Sequence, residues 1–167
     1  MTDVYILGGA QSDFARNITR EGKTAFDLFK EVSLDAIADA GIEPGQIDVG
    51  HVGNFVAELF VGQGQLGGFF GHLHTDLGEV PTSRHEAACA SGSIALLAAH
   101  RELRLGDYQC ALVTGIEHMR NVGGREAADH LGAAAWRGEE AQDCSFPWPF
   151  LFDQIAQEYD RRYGLRH

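Results

Sequence analysis

The segment Arg84-His85-Glu86-Ala87-Ala88-Cys89-Ala90-Ser91-Gly92-Ser93-Ile94-Ala95 concentrates the reactive chemistry of this sequence. A strand-like run ends, one cysteine follows, and small residues open an apolar helical stretch. The first N–H groups of a helix lack intrahelical partners, and the macrodipole favours negative charge there. A thiol so placed ionises more readily and becomes a nucleophile near neutral pH. Ala88, Ala90, Ser91 and Gly92 leave room for a carbonyl group to approach the sulfur. They also leave the Cys89 N–H available as an oxyanion donor. The competing reading is an inert cysteine buried beside a tight strand-to-helix turn, since free cysteine is among the most buried residue types. Periodicity alone leaves both readings open.

The other candidates are weaker. Cys110 lies in a continuous apolar run and is expected to be inert core. Cys144 has no basic neighbour in sequence closer than Arg137 and is assigned no role. His72 and His74 form an H-x-H pair without a visible third ligand, so no metal site is assigned. His85 is expected on a strand face at a subunit interface. His118 is expected to be a surface or interface residue rather than a base, and Glu117 to bond nearby backbone. Three cysteines without a C-x-x-C pair argue for a reducing compartment and against a zinc ribbon. The glycines at 62–71 do not follow a strand in the G-x-G-x-x-G manner, which argues against a Rossmann dinucleotide site.

Several elements must position the cysteine. Val4-Tyr5-Ile6-Leu7, closed by Gly8-Gly9, reads as a buried first strand. Residues 24–40 place Phe26, Phe29, Val32, Ala36, Ile37 and Ala40 at helical spacing. Thr24 and Asp27 form a variant capping box, and Gly41 and Pro44 act as a stop. Residues 47–55 read as a second strand and 81–86 as a third. Residues 62–71 read as a closely packed, glycine-weakened helix. Residues 87–105 read as a helix that is apolar nearly all round at first and therefore buried in its first half. Cys110-Ala111-Leu112-Val113 reads as a strand covered on both faces. Strands alternating with helices point to an α/β layered fold. Residues 120–145 are rich in glycine, alanine and charge, 146–152 are aromatic with two prolines, and 155–163 read as a short amphipathic helix. The expected organisation is an α/β domain over 1–119 and a helical or loop subdomain over 120–167.

Composition narrows the function classes. The 167 residues carry 13 Lys and Arg against 24 Asp and Glu, a net charge of −11, which argues against binding a phosphate backbone. No apolar run approaches the roughly 18 residues of a membrane span. The start, Met1-Thr2-Asp3, lacks the basic stretch of a signal peptide, and a cytoplasmic location is expected.

The cysteine segment resembles the nucleophile motif of the thiolases, especially the sterol-carrier-protein-type branch, in which a Cys-Ala-Ser-Gly core follows a strand. The likeness continues along the chain. Residues 4–9 resemble the family's first strand and 24–41 its first helix. Gly106-Asp107 through Gly115-Ile116-Glu117-His118-Met119 resembles the fourth strand and its Gly-x-Glu-x-Met ending. Residues 152–164, with Tyr159 and Tyr163-Gly164, resemble the helix inside the loop domain. The resemblance implies an incomplete thiolase-like fold and an acyl-CoA C-acyltransferase related to acetyl-CoA acetyltransferase, acting in lipid metabolism. Cys89 would carry the acyl group as a thioester. Met119, Phe146 and Phe150 would border the acyl pocket, although ordinary packing is an alternative for each. Coenzyme A and acyl-CoA would be substrates, with no permanently bound cofactor and no metal. A homodimer or tetramer is implied, and some relatives also pair with a small OB-fold subunit.

The departures matter equally. The family's Asn-Glu-Ala-Phe-like segment, its Gly-His-Pro motif and its second catalytic cysteine do not occur in these residues. The fifth strand of the N-terminal half is missing too, which implies an unfilled sheet slot with an exposed edge. The expected reading is a fragment of a longer enzyme, or one piece of a split one, with a second chain or a C-terminal half supplying the histidine and the second cysteine. Two alternatives stand beside it: a ketoacyl-synthase-type condensing enzyme of the same fold, or a non-catalytic interaction or acyl-CoA-binding subunit that needs a partner chain.

Overall fold

A computed structural model describes residues 3–142 and 144–164; Met1 and Thr2, where the sequence lacks a basic start, lie outside the described residues. The chain divides into two compact units, Met1–Asn121 and Val122–His167.

The first unit is built on a parallel sheet of three strands, β1 (Val49–Gly53), β2 (Thr82–His85) and β3 (Ala111–Gly115), in the order β2-β1-β3. Alternation along β1 sends its side chains to two faces. Val52 and its register partner Thr114, with Leu112, face helix α1 (Ala25–Ala40). There the Ser33 and Thr114 hydroxyls bond at 2.9 Å. β1 leads into the short helix α2 (Ala57–Val61), and His51 and Gly53 face helix α3 (Ser91–Leu105). The result is a helix–sheet–helix arrangement, an α/β fold with a small parallel sheet.

α1 forms where its periodicity predicts. Thr24 Oγ1 accepts the Asp27 N–H at 3.2 Å while Asp27 accepts the Thr24 N–H at 2.7 Å, and Gly41 ends the helix at φ 65°. Its apolar stripe enters the core through Phe29, which is fully buried and meets Phe70 and Phe69 edge-on at 5.1 and 5.4 Å. The glycine-rich stretch forms a 3₁₀ helix, Leu66–His72, rather than an α-helix. Its Phe70 ring lies so near β1 that a Cβ on Gly50 would sit 2.8 Å from it.

Three expectations need correction. The apolar run 4–7 forms no strand; Tyr5, Ile6 and Leu7 are exposed. Gly9 instead donates its N–H to Asp39 at 2.9 Å, and Gly8 lies against the backbone of Ala40. β-branched and aromatic residues favour a pleated, half-buried surface, but a strand also needs a ladder partner, and β1–β3 provide none for this run. α3 is not buried all round its first half. Ser91, Ala95 and Ala99 form its buried stripe, whereas Ile94, Leu96 and Leu97 are exposed. β3 is likewise buried at alternate residues rather than on both faces.

The second unit holds α4 (Gly124–Leu131) and α5 (Pro147–Tyr163). α5 begins eight residues before the amphipathic run that suggests it, at Pro147 instead of 155. Both prolines fall in its first turn, where no N–H is needed for an intrahelical bond. Among the described residues no helix is long and apolar enough to cross a membrane.

Candidate active site

Parallel strands deliver the residues that follow them to one edge of a sheet, where ligand crevices of α/β folds form. After β2 the chain makes a short 3₁₀ turn, Ala88–Ala90, and enters α3. Cys89 sits in this turn and is exposed. Ala88 adopts φ 48°, a left-handed conformation that costs a residue with a Cβ about 1–2 kcal/mol.

Three groups hold the turn. Ser91 Oγ accepts the Ala87 N–H at 2.9 Å and donates to the Ala88 carbonyl at 2.7 Å. The Glu86 carboxylate accepts the Ala88 N–H. The Ala87 carbonyl accepts the Ala90 N–H at 2.9 Å. Below the turn, the end of β1 packs backbone to backbone on α3: a Cβ on Gly53 would lie 2.6 Å from Gly92 Cα. The backbone that carries Cys89 is thereby held by the strand beneath it and by the serine two residues beyond.

The loop after β1 is tied to the ends of β2 and β3. Glu117, two residues past β3, accepts N–H groups from Phe55 at 2.8 Å and Val56 at 3.4 Å. Asn54 donates to the Ile116 carbonyl at 2.7 Å and accepts the Ala57 N–H at 3.0 Å. Arg84 pairs with Glu58 and donates to the Phe55 carbonyl at 3.0 Å. Burial pushes the Glu117 carboxyl above the ordinary carboxylate range, against the opposing pull of these backbone N–H groups, Asn54 and Arg84. Glu117 thus ties two strand ends together.

His118 is a correction. It is buried rather than at the surface, with Nε2 3.1 Å from Thr19 Oγ1 and Nδ1 lacking a partner among the described residues. Burial holds its ring below the ordinary histidine pKa. Such a group binds fewer protons folded than unfolded. Its contribution to stability is therefore complete above the ordinary value of 6.5 and is lost as pH falls toward the folded pKa. His118→Gln is expected to flatten the fall in urea midpoint below that pH; an unchanged slope in the variant counts against this assignment. Part of the slope persists, because His85 is shifted the same way, by burial and then by His51.

A polar cluster behind β2 gave no sequence signal. His51, fully buried, approaches His85 Nε2 at 2.9 Å and Ser83 Oγ at 3.1 Å through Nδ1, and Glu102 of α3 at 3.1 Å through Nε2. Ser83 also lies 2.9 Å from His85 Nε2. The bonded nitrogen of His85 is thus engaged within the cluster. Among the described residues no hydrogen bond reaches the Cys89 sulfur, and no group of three His, Cys, Asp or Glu is placed to hold a metal ion. His74 Nδ1 accepts the Asp76 N–H at 3.3 Å, and the His72 ring stands edge-on to Phe26.

The remaining candidates lie apart in sequence. Met119 is 40% exposed, just past the Glu117 anchor in the first unit. Phe146 and Phe150 are exposed in the second unit, at the N-cap and first turn of α5, where the Phe150 N–H donates to the Phe146 carbonyl at 3.2 Å. Cys110 and Cys144 are partly buried, and burial, reinforced by Asp48, pushes the Cys110 thiol up.

Comparison with known proteins agrees with this architecture. The family description "Thiolase, N-terminal domain" matches residues 4–159. The chain is 35% identical over 167 residues to an acetyl-CoA acetyltransferase of Methanocaldococcus jannaschii, covering 99% of this chain and 40% of that protein. It is 31% identical over 164 residues to an acetyl-CoA acetyltransferase of Methanothermobacter thermautotrophicus, covering 98% and 41%. It is 24% identical over 164 residues to the human peroxisomal 3-ketoacyl-CoA thiolase, covering 94% and 37%. The chain thus spans about two fifths of the length of the curated relatives it matches. An exposed cysteine in a strained turn between a parallel strand and a helix, in a chain matched along nearly all its length by one family description, places this protein in the thiolase family as a carrier of its N-terminal domain.

Proposed function

We propose that this chain contributes the nucleophile of an acyl-CoA C-acyltransferase and that Cys89 carries the acyl group. The observation that carries this reading is the exposed Cys89 thiol in the turn that opens α3, within a member of the thiolase family. The Cys89 thiolate attacks the C3 keto carbon of a 3-ketoacyl-CoA, and the C=O electron pair moves onto oxygen. When the double bond re-forms, the C2–C3 bond breaks and the acyl group stays on sulfur as a thioester. The leaving group is the enolate of acetyl-CoA or propionyl-CoA, which takes up the proton released by the thiol. Free CoA then accepts the acyl group in a second exchange of the same kind. The reverse sequence is a condensation. No oxidant or reductant enters either direction.

We infer that the base for the proton transfers comes from further protein. Within the chain, His51 and His85 are bonded into their own cluster and His118 is buried against Thr19. The exposed apolar face of α3, at Ile94, Leu96 and Leu97, supports completion of the site by further protein. That protein would supply the histidine and the second cysteine. Met119, Phe146 and Phe150 are the proposed acyl-pocket residues, the protein is proposed to be a cytoplasmic dimer or tetramer, and CoA and acyl-CoA are its small-molecule partners. We propose that the nucleophile belongs to an α/β domain over 1–119 and that 120–167 forms a loop subdomain.

Incubation of the full-length protein with acetyl-CoA is expected to leave an acetyl group on the peptide containing Cys89. Iodoacetamide is expected to label Cys89 faster than Cys110 or Cys144, because Cys89 is exposed while burial disfavours the Cys110 thiolate. Peptide mass spectrometry reads both results. Labelling of Cys89 at or below the rate of the other two would defeat the assignment.

A further inference from the structure

Ser91 is almost fully buried, and its hydroxyl is the one side-chain group that bonds on both sides of the strained Ala88. We propose that Ser91 is a positioning residue for the Cys89 reaction: by clamping the Ala87 N–H and the Ala88 carbonyl, its hydroxyl fixes the peptide plane whose N–H meets the developing oxyanion. The proposal rests on the acyl-transfer reading of Cys89 and deepens it.

The geometry leads to this directly. The Ala88 carbonyl and the Cys89 N–H belong to one peptide unit, and cis bonds are absent from the described residues. In a trans unit the two groups point in opposite directions. Holding the carbonyl inward against the buried Ser91 hydroxyl therefore turns the Cys89 N–H outward, toward the side open to substrate. The second bond, from the Ala87 N–H, fixes the Glu86–Ala87 unit. The Ala87–Ala88 unit between them is held by the Glu86 carboxylate on the Ala88 N–H and by the Ala90 N–H on the Ala87 carbonyl, so Ala88 has little rotational freedom and stays at φ 48°. Neither bond touches the sulfur, so the serine acts on the oxyanion donor rather than on thiol ionisation.

That separation gives the test. In the full-length protein, Ser91→Ala frees the peptide unit and is expected to lower kcat for acyl transfer about 10²-fold, the cost of losing one aligned oxyanion donor. KM and the rate of Cys89 alkylation by iodoacetamide stay within about threefold, because displacement of iodide forms no oxyanion. Ser91→Thr, which keeps a hydroxyl able to donate and accept, restores kcat to within about tenfold of the parent. A folded Ser91→Ala protein with kcat within about threefold of the parent overturns the proposal. So does a parallel loss of alkylation and turnover, which marks general disruption of the turn. If the alanine variant does not fold, Ser91→Cys, of similar size with a weak donor, carries the same outcomes. Failure of the underlying reading looks different: Cys89→Ser retains turnover, or no acyl adduct forms on Cys89, whatever Ser91 does.

Discussion

Cys89→Ser in the full-length protein is expected to lower kcat for acyl transfer by about 10⁴-fold or more, the loss typical of removing a covalent nucleophile. The substitution changes one atom and keeps the size of the side chain, so the turn and its clamps remain. What it removes is an ionisable nucleophile. A thiol reacts through its anion and is intrinsically far more nucleophilic than a hydroxyl. A serine hydroxyl is not ionised near neutral pH and reacts only when a base takes its proton during attack. The histidine nearest in sequence gives no such help, since His85 is held by His51 and Ser83. The acetyl adduct should vanish with turnover while the urea midpoint stays near that of the parent, because Cys89 is exposed and buries little. Turnover that survives the change would end the proposed mechanism. A parent protein without transferase activity that still assembles with a partner would favour the interaction-subunit reading instead.

How much of this was legible in the sequence depended on how local each cause is. α1 could be read outright, because its capping box, its apolar spacing and its Gly41 stop all lie within 18 residues. The three observed strands were also legible as short apolar or β-prone runs between turn residues. The run at 4–7 was misread because a strand is defined by its neighbour, and the composition of one segment carries no information about that neighbour. α5 was read too short because Pro147 and Pro149 look like breakers until their first-turn position is known. The cysteine turn was legible in outline but not in detail. A left-handed residue is usually announced by glycine, and here Ala88 takes that conformation with Ser91 across it. The His51–Glu102 contact joins residues 51 apart, and no spacing rule reaches that far. His118 likewise meets a residue 99 positions away, Thr19 in the turn at 18–22.

Gly53→Ala is expected to damage both stability and turnover without touching a reacting atom. Gly53 ends β1 on the face toward α3, and a Cβ there would lie 2.6 Å from Gly92 Cα, 2.8 Å from Gly92 N and 2.9 Å from Ser91 C. All three are backbone atoms, so no side chain can rotate away. Gly53 does not need a positive φ, which makes the penalty steric rather than conformational. Either β1 or the start of α3 must move. Overpacking of this kind costs about 1–3 kcal/mol, read as a lower urea midpoint. The displaced first turn carries Ser91, the clamp on the Cys89 peptide, and a misplacement of about 1 Å at a reacting centre can cost about 10²-fold in rate. Gly68→Ala is the control, since the nearest neighbour to its added Cβ is Gln65 Cγ at 3.9 Å. Its stability is expected to stay within about 0.5 kcal/mol of the parent. Equal midpoints and equal kcat for Gly53→Ala and Gly68→Ala would mean that the strand does not set the position of the helix start. Loss confined to Gly53→Ala would show that the sheet, through one residue lacking a side chain, locates the nucleophile.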